Sequence, residues 1–220
     1  MTQKVGVVII HGVGDQRPDY ADNFIERANK ILSPKCNVFW EPVHWADSLP
    51  RDTESVGYLY KGLRNFFDNH AFDGIGYFIP ENYDAVHERV ASARARAFDA
   101  GCTREVILAH SLGSIIAANH IHDQEPAPEL LITFGSSLRR YLSMIGKPPS
   151  IKPGRWINYF YPTDLVAKRI SGVAHGYEVE DIALPLGWNP LHYLPITHSN
   201  YWIDNRFIKE IAHRISEVAV

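Results

Sequence analysis

Apolar residues in this chain form short runs that alternate with stretches of helical periodicity. Predominantly apolar runs occupy 5–10, 105–109, 129–134 and 155–160, and a shorter one occupies 37–40. Runs of four to eight such residues are typical of strands in a parallel sheet that is covered on both faces. We therefore predict five strands at these positions.

Helices are predicted between several of these strands. The segment 20–32 keeps apolar residues at helical intervals, 82–100 does the same over a longer stretch, and a third helix runs to about residue 122. Gly101 is placed to end the second helix in the left-handed conformation. A final amphipathic helix carries Ile203, Phe207, Ile211 and Ile215. Alternation of strand and helix favours an α/β fold with a doubly wound, mostly parallel sheet.

The 220 residues are predicted to form a single domain, 1–220, because no repeat or linker divides them. Within it, 42–80 reads as a cap-like helical insertion, since its central apolar residues recur at helical intervals. Packing of this helix on the sheet fits the pattern equally well. The stretch 139–153, rich in cations and prolines, reads as a second flap or a surface loop.

Composition and charge exclude several classes of function. The formal net charge of −3 offers no field for capturing nucleic acid. No apolar run is long enough for a transmembrane segment and no signal peptide is evident, so a cytoplasmic location is expected. Cys36 and Cys102 are too few for a disulfide framework, and His120 and His122 diverge on one helix. We expect neither a metal site nor a cofactor.

The most informative motif is Ala109-His110-Ser111-Leu112-Gly113, in which a serine separates a predicted strand from a predicted helix. It resembles the nucleophile elbow of the α/β-hydrolase family, whose pattern is Gly-x-Ser-x-Gly. Alanine replaces the first glycine, which is the smallest departure from that pattern. Small residues two positions before and after the serine let strand and helix approach closely. A serine that caps a helix is the simpler alternative.

The resemblance extends to other parts of the chain and implies a compact α/β-hydrolase fold. His11-Gly12-Val13 follows the first strand, where the family places its oxyanion loop, and implies that Val13 and Leu112 donate backbone N–H groups. His11 and Gly12 would support that loop. The family order of serine, acid and histidine then assigns Asp164 as the acid and His198 as the base.

Other assignments remain open at this point. Asp181 is an alternative acid, and His175 and His192 are alternative bases. The glycines at 12 and 14 also suggest a dinucleotide fingerprint, but Arg17 stands where the third glycine is required. Around the serine, His110, Trp188 and Tyr193 are candidates for the substrate pocket.

From the resemblance we expect a serine hydrolase that cleaves a carboxylic ester of a small molecule or lipid, as esterases and lipases do, through an acyl-enzyme on Ser111. Two alternatives share the fold. One is a non-catalytic scaffold that acts as a binding protein. The other is an acyltransferase or thioesterase that uses the same three residues, because selection among acyl acceptors depends on the shape of the pocket.

Overall fold

The structure is a computed structural model that describes residues 3–12, 17–32, 36–45, 80–123, 126–145, 153–174, 177–185 and 195–220. Six strands and five α-helices occur in these ranges, together with one 3₁₀ helix, Pro195–Trp202. The strands are β1 Lys4–Ile10, β2 Asn37–Val43, β3 Arg104–His110, β4 Leu130–Phe134, β5 Arg155–Phe160 and β6 Val179–Ala183. The helices are α1 Asp22–Asn29, α2 Pro80–Asp99, α3 Leu112–Asp123, α4 Leu138–Ile145 and α5 Asn205–Val218.

The strands form one sheet in the order β2-β1-β3-β4-β5-β6, and every neighbouring pair is parallel. This confirms the predicted α/β class and parallel sheet. Successive side chains of a strand point to opposite faces, so a strand buried on both faces must be apolar throughout. The six residues from Val5 to Ile10 are all buried, which explains the continuous apolar run.

Helices cover both faces of the sheet. Val8 and Ile10 pack in one core with α2, α3 and α4, whereas Val7 and Ile9 pack in the other with α1 and α5. Fully burying such a side chain contributes roughly 1.5–3 kcal/mol. The sheet is therefore a rigid platform whose strand ends have fixed positions.

The ends of two helices follow from their sequences. After α2, Gly101 adopts φ +82°, and the N–H groups of Gly101 and Cys102 donate to the carbonyls of Phe98 and Ala97. This arrangement satisfies the last carbonyls of the helix as predicted. Helix α5 begins after Asp204, whose carboxylate accepts the N–H of Arg206 at 2.8 Å.

Helix α4 was not among the predicted helices. It begins at Leu138, one residue before the stretch 139–153 that was predicted to be a flap or a surface loop, and extends into that stretch as far as Ile145. Leu138 and Leu142 lie four residues apart and are buried in the core beside α3, which stabilises the helix despite Arg139 and Arg140 between them.

The predicted cap-like insertion, 42–80, lies outside the described residues except at its ends. Residues 42 and 43 belong to β2, residues 44 and 45 follow it, and residue 80 begins α2. In the part of the chain that the structure describes, no helix has both the length and the apolar character that crossing a membrane requires.

Candidate active site

The candidate site lies at the carboxyl edge of the sheet, beside β1 and β3. From β1 the chain proceeds to β2 on one side, while β3 lies on the other side, so the strand order reverses at this pair. In open parallel sheets, ligands bind in the crevice outside the strand ends at such a reversal. His11 and Gly12 follow β1 and Ser111 follows β3, which brings all three to this crevice.

Ser111 occupies a strained turn between β3 and α3. Its φ is +53°, and no other non-glycine residue in the described ranges has a positive φ. Such a conformation typically costs about 1–3 kcal/mol and persists only where the surroundings impose it. Here the N–H of Ser111 donates to the carbonyl of Phe134 at 3.1 Å, which extends the pairing of β3 with β4 by one residue.

Two glycines allow the chain after β1 to approach the serine. A Cβ at Gly113 would lie 2.4 Å from the carbonyl oxygen of Ile10, so a larger residue would push α3 away from β1. A Cβ at Gly12 would lie 2.6 Å from Cβ and 3.2 Å from Oγ of Ser111. The small residue two positions after the serine is thus required by the backbone of the neighbouring strand.

A continuous line of hydrogen bonds joins Ser111, His198 and Asp164. His198 Nε2 lies 2.8 Å from Ser111 Oγ, and His198 Nδ1 lies 2.9 Å from Oδ2 and 3.2 Å from Oδ1 of Asp164. Because a carboxylate only accepts, Nδ1 carries the proton, and Nε2 is left to accept the proton of the serine hydroxyl. The structure thus brings together three residues that lie far apart in the chain.

Asp164 is held in place by backbone groups as well as by His198. Its side chain is fully buried, and Oδ1 accepts the N–H groups of Val166 at 2.9 Å and Ala167 at 3.3 Å. Burial by itself would raise the pKa of Asp164, but the hydrogen bond and charge of His198 and the two N–H donors outweigh it, and the pKa lies below its ordinary value. Asp164 is therefore ionised at neutral pH and can stabilise a protonated His198.

The ring of His110 lies beside that of His198, with centroids 4.9 Å apart. Its Nε2 donates to the carbonyl oxygen of His198 at 2.9 Å, and its ring packs against Phe134 and Trp202. Burial, with a contribution from the charge of His198, lowers the pKa of His110 to about 3, so the ring is neutral. His110 is buried, with an exposed fraction of 7%, and its hydrogen bond holds the backbone of His198.

Three buried serines behind the turn were not predicted from the sequence. Ser114 Oγ donates to the carbonyl of Ser111 at 2.5 Å, and Ser137 Oγ donates to the same oxygen at 3.2 Å. Ser136 Oγ lies 2.8 Å from Ser114 Oγ and accepts the N–H of Leu138. The only sequence signal was the pair of serines that follows Gly135 after β4, the strand next to β3.

Of the residues expected to form an oxyanion hole and its loop, the structure describes some and not others. Leu112 is the first residue of α3, and N–H groups in the first turn of a helix have no acceptor within the helix and carry partial positive charge. Val13 lies outside the described residues. His11 is buried, stacks on Trp45 with ring centroids 4.9 Å apart, and donates from Nδ1 to the carbonyl of Gly12 at 2.6 Å. These contacts fix the chain where it leaves β1.

Of the remaining candidates, the structure describes only Asp181, and its carboxylate does not join this group of side chains. Asp181 accepts the N–H groups of Ile170 and Ser171 and the amide of Asn158. The alternative bases and the two aromatic pocket candidates, His175, His192, Trp188 and Tyr193, lie outside the described residues. Within the described ranges, no cluster of three or more His, Cys, Asp or Glu side chains could hold a metal ion.

No protein-family model matches this chain, and no curated protein matches it either. The chemistry open to this site follows from the arrangement of its own atoms. A serine hydroxyl becomes a competent nucleophile when a base accepts its proton and a third group orients that base. Ser111, His198 and Asp164 have this arrangement, with an unbroken path from the hydroxyl to a buried carboxylate.

Proposed function

We propose that the protein is a serine hydrolase of the α/β-hydrolase type that cleaves a carboxylic ester of a small molecule or lipid. One observation carries the proposal: Ser111 Oγ, His198 and Asp164 form a single hydrogen-bonded line with contacts of 2.8 and 2.9 Å. The parallel sheet, the strained serine after a central strand and the crevice at the reversal of strand order support it.

In the first half of the reaction, Ser111 Oγ attacks the acyl carbon of the ester while its proton passes to His198 Nε2. The resulting imidazolium is stabilised by ionised Asp164, which keeps Nδ1 protonated throughout. When the tetrahedral intermediate collapses, the bond to the alcohol breaks and the alkoxide takes the proton from Nε2. The alcohol leaves, and the acyl group remains on Ser111.

In the second half, water replaces the alcohol. His198 Nε2 accepts a proton from water as its oxygen attacks the acyl-enzyme, and returns it to Ser111 Oγ as the carboxylic acid is released. In both halves the carbonyl oxygen becomes negative, and the N–H groups of Leu112 and Val13 are assigned to stabilise it. Losing one such donor typically costs roughly 10²–10³ in rate.

The direct test is covalent labelling with a fluorophosphonate probe, followed by mass spectrometry of the labelled peptide. We expect one label on Ser111, no label in Ser111→Ala, and much slower labelling in His198→Ala. Ser143→Ala is the matched control, because Ser143 is an exposed serine of α4 and should not affect labelling. An unlabelled wild type would leave a binding scaffold as the favoured function. A label on another serine would show that Ser111 is not the nucleophile.

Once Ser111 is labelled, turnover assays separate the reactions that share this mechanism. We expect release of p-nitrophenol from p-nitrophenyl esters of graded acyl length. Faster release from matched thioesters would instead indicate a thioesterase, and acyl transfer to an added alcohol in preference to water would indicate an acyltransferase.

A further inference from the structure

Tyr201 lies three residues after His198 in the 3₁₀ helix Pro195–Trp202. A 3₁₀ helix has three residues per turn, so side chains at i and i+3 lie on the same face. His198 and Tyr201 accordingly reach the same carboxylate oxygen: Tyr201 Oη donates to Asp164 Oδ2 at 3.0 Å, and His198 Nδ1 donates to it at 2.9 Å.

The hydroxyl of Tyr201 has little freedom to move. Tyr201 is fully buried, and its ring lies 4.7 Å from that of Tyr161 and 5.6 Å from that of Phe207. Besides donating to Asp164, the hydroxyl oxygen accepts the N–H of Tyr161 at 3.0 Å. A single hydroxyl therefore bridges the backbone where β5 ends and the carboxylate three residues later.

Tyr201 is a proton donor throughout the ordinary pH range. Burial raises its pKa well above the usual value, and the negative charge of Asp164 raises it further. The hydrogen bond from Tyr201 to Asp164 is consequently charge-assisted, because the donor keeps its proton while the acceptor is ionised.

We propose that Tyr201 is a positioning residue of this site: its hydroxyl keeps Asp164 Oδ2 aimed at His198 and, by sharing the charge on that oxygen, sets the strength of the bond between Asp164 and His198. The proposal rests on the proposed function, since it assigns a role within the same Ser111–His198–Asp164 arrangement. It depends on the hydroxyl and not on the ring, which would fill the same space in phenylalanine.

The test compares Tyr201→Phe with Tyr159→Phe. Tyr159 is a suitable control because it is also fully buried and its hydroxyl also donates to a carboxylate, that of Glu210 at 3.0 Å, away from the serine. Each substitution removes one oxygen and keeps the ring. Thermal unfolding of both variants shows whether either has lost the fold.

Two readouts distinguish positioning from a purely structural role. The first is the downfield NMR resonance of the His198 Nδ1–H proton, which is assigned by its absence in His198→Gln. We expect this resonance to move further downfield in Tyr201→Phe. Asp164 Oδ2 then loses one of its two donors, so its hydrogen bond with His198 becomes stronger. The second is ester turnover: kcat should fall about tenfold, as expected for loss of one hydrogen bond to a charged group, with KM within about twofold. Tyr159→Phe should change neither.

The outcomes separate this proposal from the proposed function. A His198 resonance that stays in place or moves upfield in Tyr201→Phe, or a kcat equal to that of Tyr159→Phe, would overturn the role of Tyr201. If the wild type neither reacts with the fluorophosphonate nor cleaves esters, the hydrolase proposal fails, and the resonance alone decides whether Tyr201 controls the bond between Asp164 and His198.

Discussion

Two aspartates near the last strands of the sheet have closely similar surroundings and different partners. Asp164 lies in the turn after β5, and Asp181 lies within β6. Each accepts two consecutive backbone N–H groups, from 166 and 167 in the first case and from 170 and 171 in the second. In both, burial would raise the pKa, but the hydrogen bonds outweigh it and the pKa is lowered.

The difference lies in the side chains that donate to each carboxylate. Asp164 accepts from His198 and Tyr201, whereas Asp181 accepts from the amide of Asn158, its register partner on β5, at 2.7 Å. Asp181 therefore ties the segment that follows Asp164 to the sheet, and Asp164 ties that same segment to His198. Local hydrogen bonding makes a carboxylate ionised and fixed, but the element packed against it determines its role.

The largest expected effect is on turnover in Asp164→Asn. The amide would present N–H or a weaker acceptor to His198 Nδ1 and favour the wrong tautomer, so kcat for a p-nitrophenyl ester should fall about 10³–10⁴-fold. Asp181→Asn should reduce kcat less than about tenfold. Equal losses in the two variants would show that Asp164 acts only through the fold.

The next effect is on stability. Asp181→Asn places an amide where two backbone N–H groups and the Asn158 amide require an acceptor, so the free energy of unfolding in urea should fall by about 1–2 kcal/mol. Asp19→Asn provides the control, because Asp19 is exposed and forms an ion pair with the exposed Arg17, and should change stability by less than about 0.5 kcal/mol. A loss in Asp19→Asn as large as that in Asp181→Asn would contradict this account.

The smallest expected effect is on the pH dependence of the stability difference between wild type and Asp181→Asn. The pKa of Asp181 is lower in the folded protein than the value of about 3.9 expected in the unfolded chain, so its ionised form stabilises the fold above about pH 4. As pH falls through the folded-state pKa, the carboxyl is protonated in both states and this contribution is lost. Urea unfolding from pH 7 to pH 3 should show wild type and Asp181→Asn converging by about 1 kcal/mol or less. If the free energies of unfolding of wild type and Asp181→Asn differ by a constant amount across this range, the charge of Asp181 does not contribute to stability.

Much of the fold was predictable because the four central strands, β1, β3, β4 and β5, are predominantly apolar on both faces. The runs at 5–10 and 105–109 correspond to β1 and β3, each longer in the structure by one residue at one or both ends. Helix α4 was missed because Arg139 and Arg140, followed by a stretch rich in lysine and proline, masked the spacing of Leu138 and Leu142. Its apolar face became evident only once α3 was in place beside it.

Only part of the candidate site could be predicted from the sequence. Ser111 could be found from its five-residue motif, since the motif reports a local steric requirement that Gly113 meets. Tyr201 had no comparable signal, because a buried tyrosine near a helix is usually core packing. Its hydroxyl became informative only when the 3₁₀ helix brought it to Asp164, 37 residues earlier in the chain.

By itself, the sequence determined the alternation of strands and helices, the turn at Ser111 and the residue types able to act as acid and base. These are properties of neighbouring residues, set by backbone sterics and by the burial of apolar side chains. Tertiary structure alone decided that His198 faces Asp164 and not Asp181, that His110 donates to the backbone of His198, and that Tyr201 completes the hydrogen bonds of Asp164. Those pairings depend on distances of about 3 Å between residues that lie far apart in the chain, and such distances exist only after the sheet and the 3₁₀ helix have assembled.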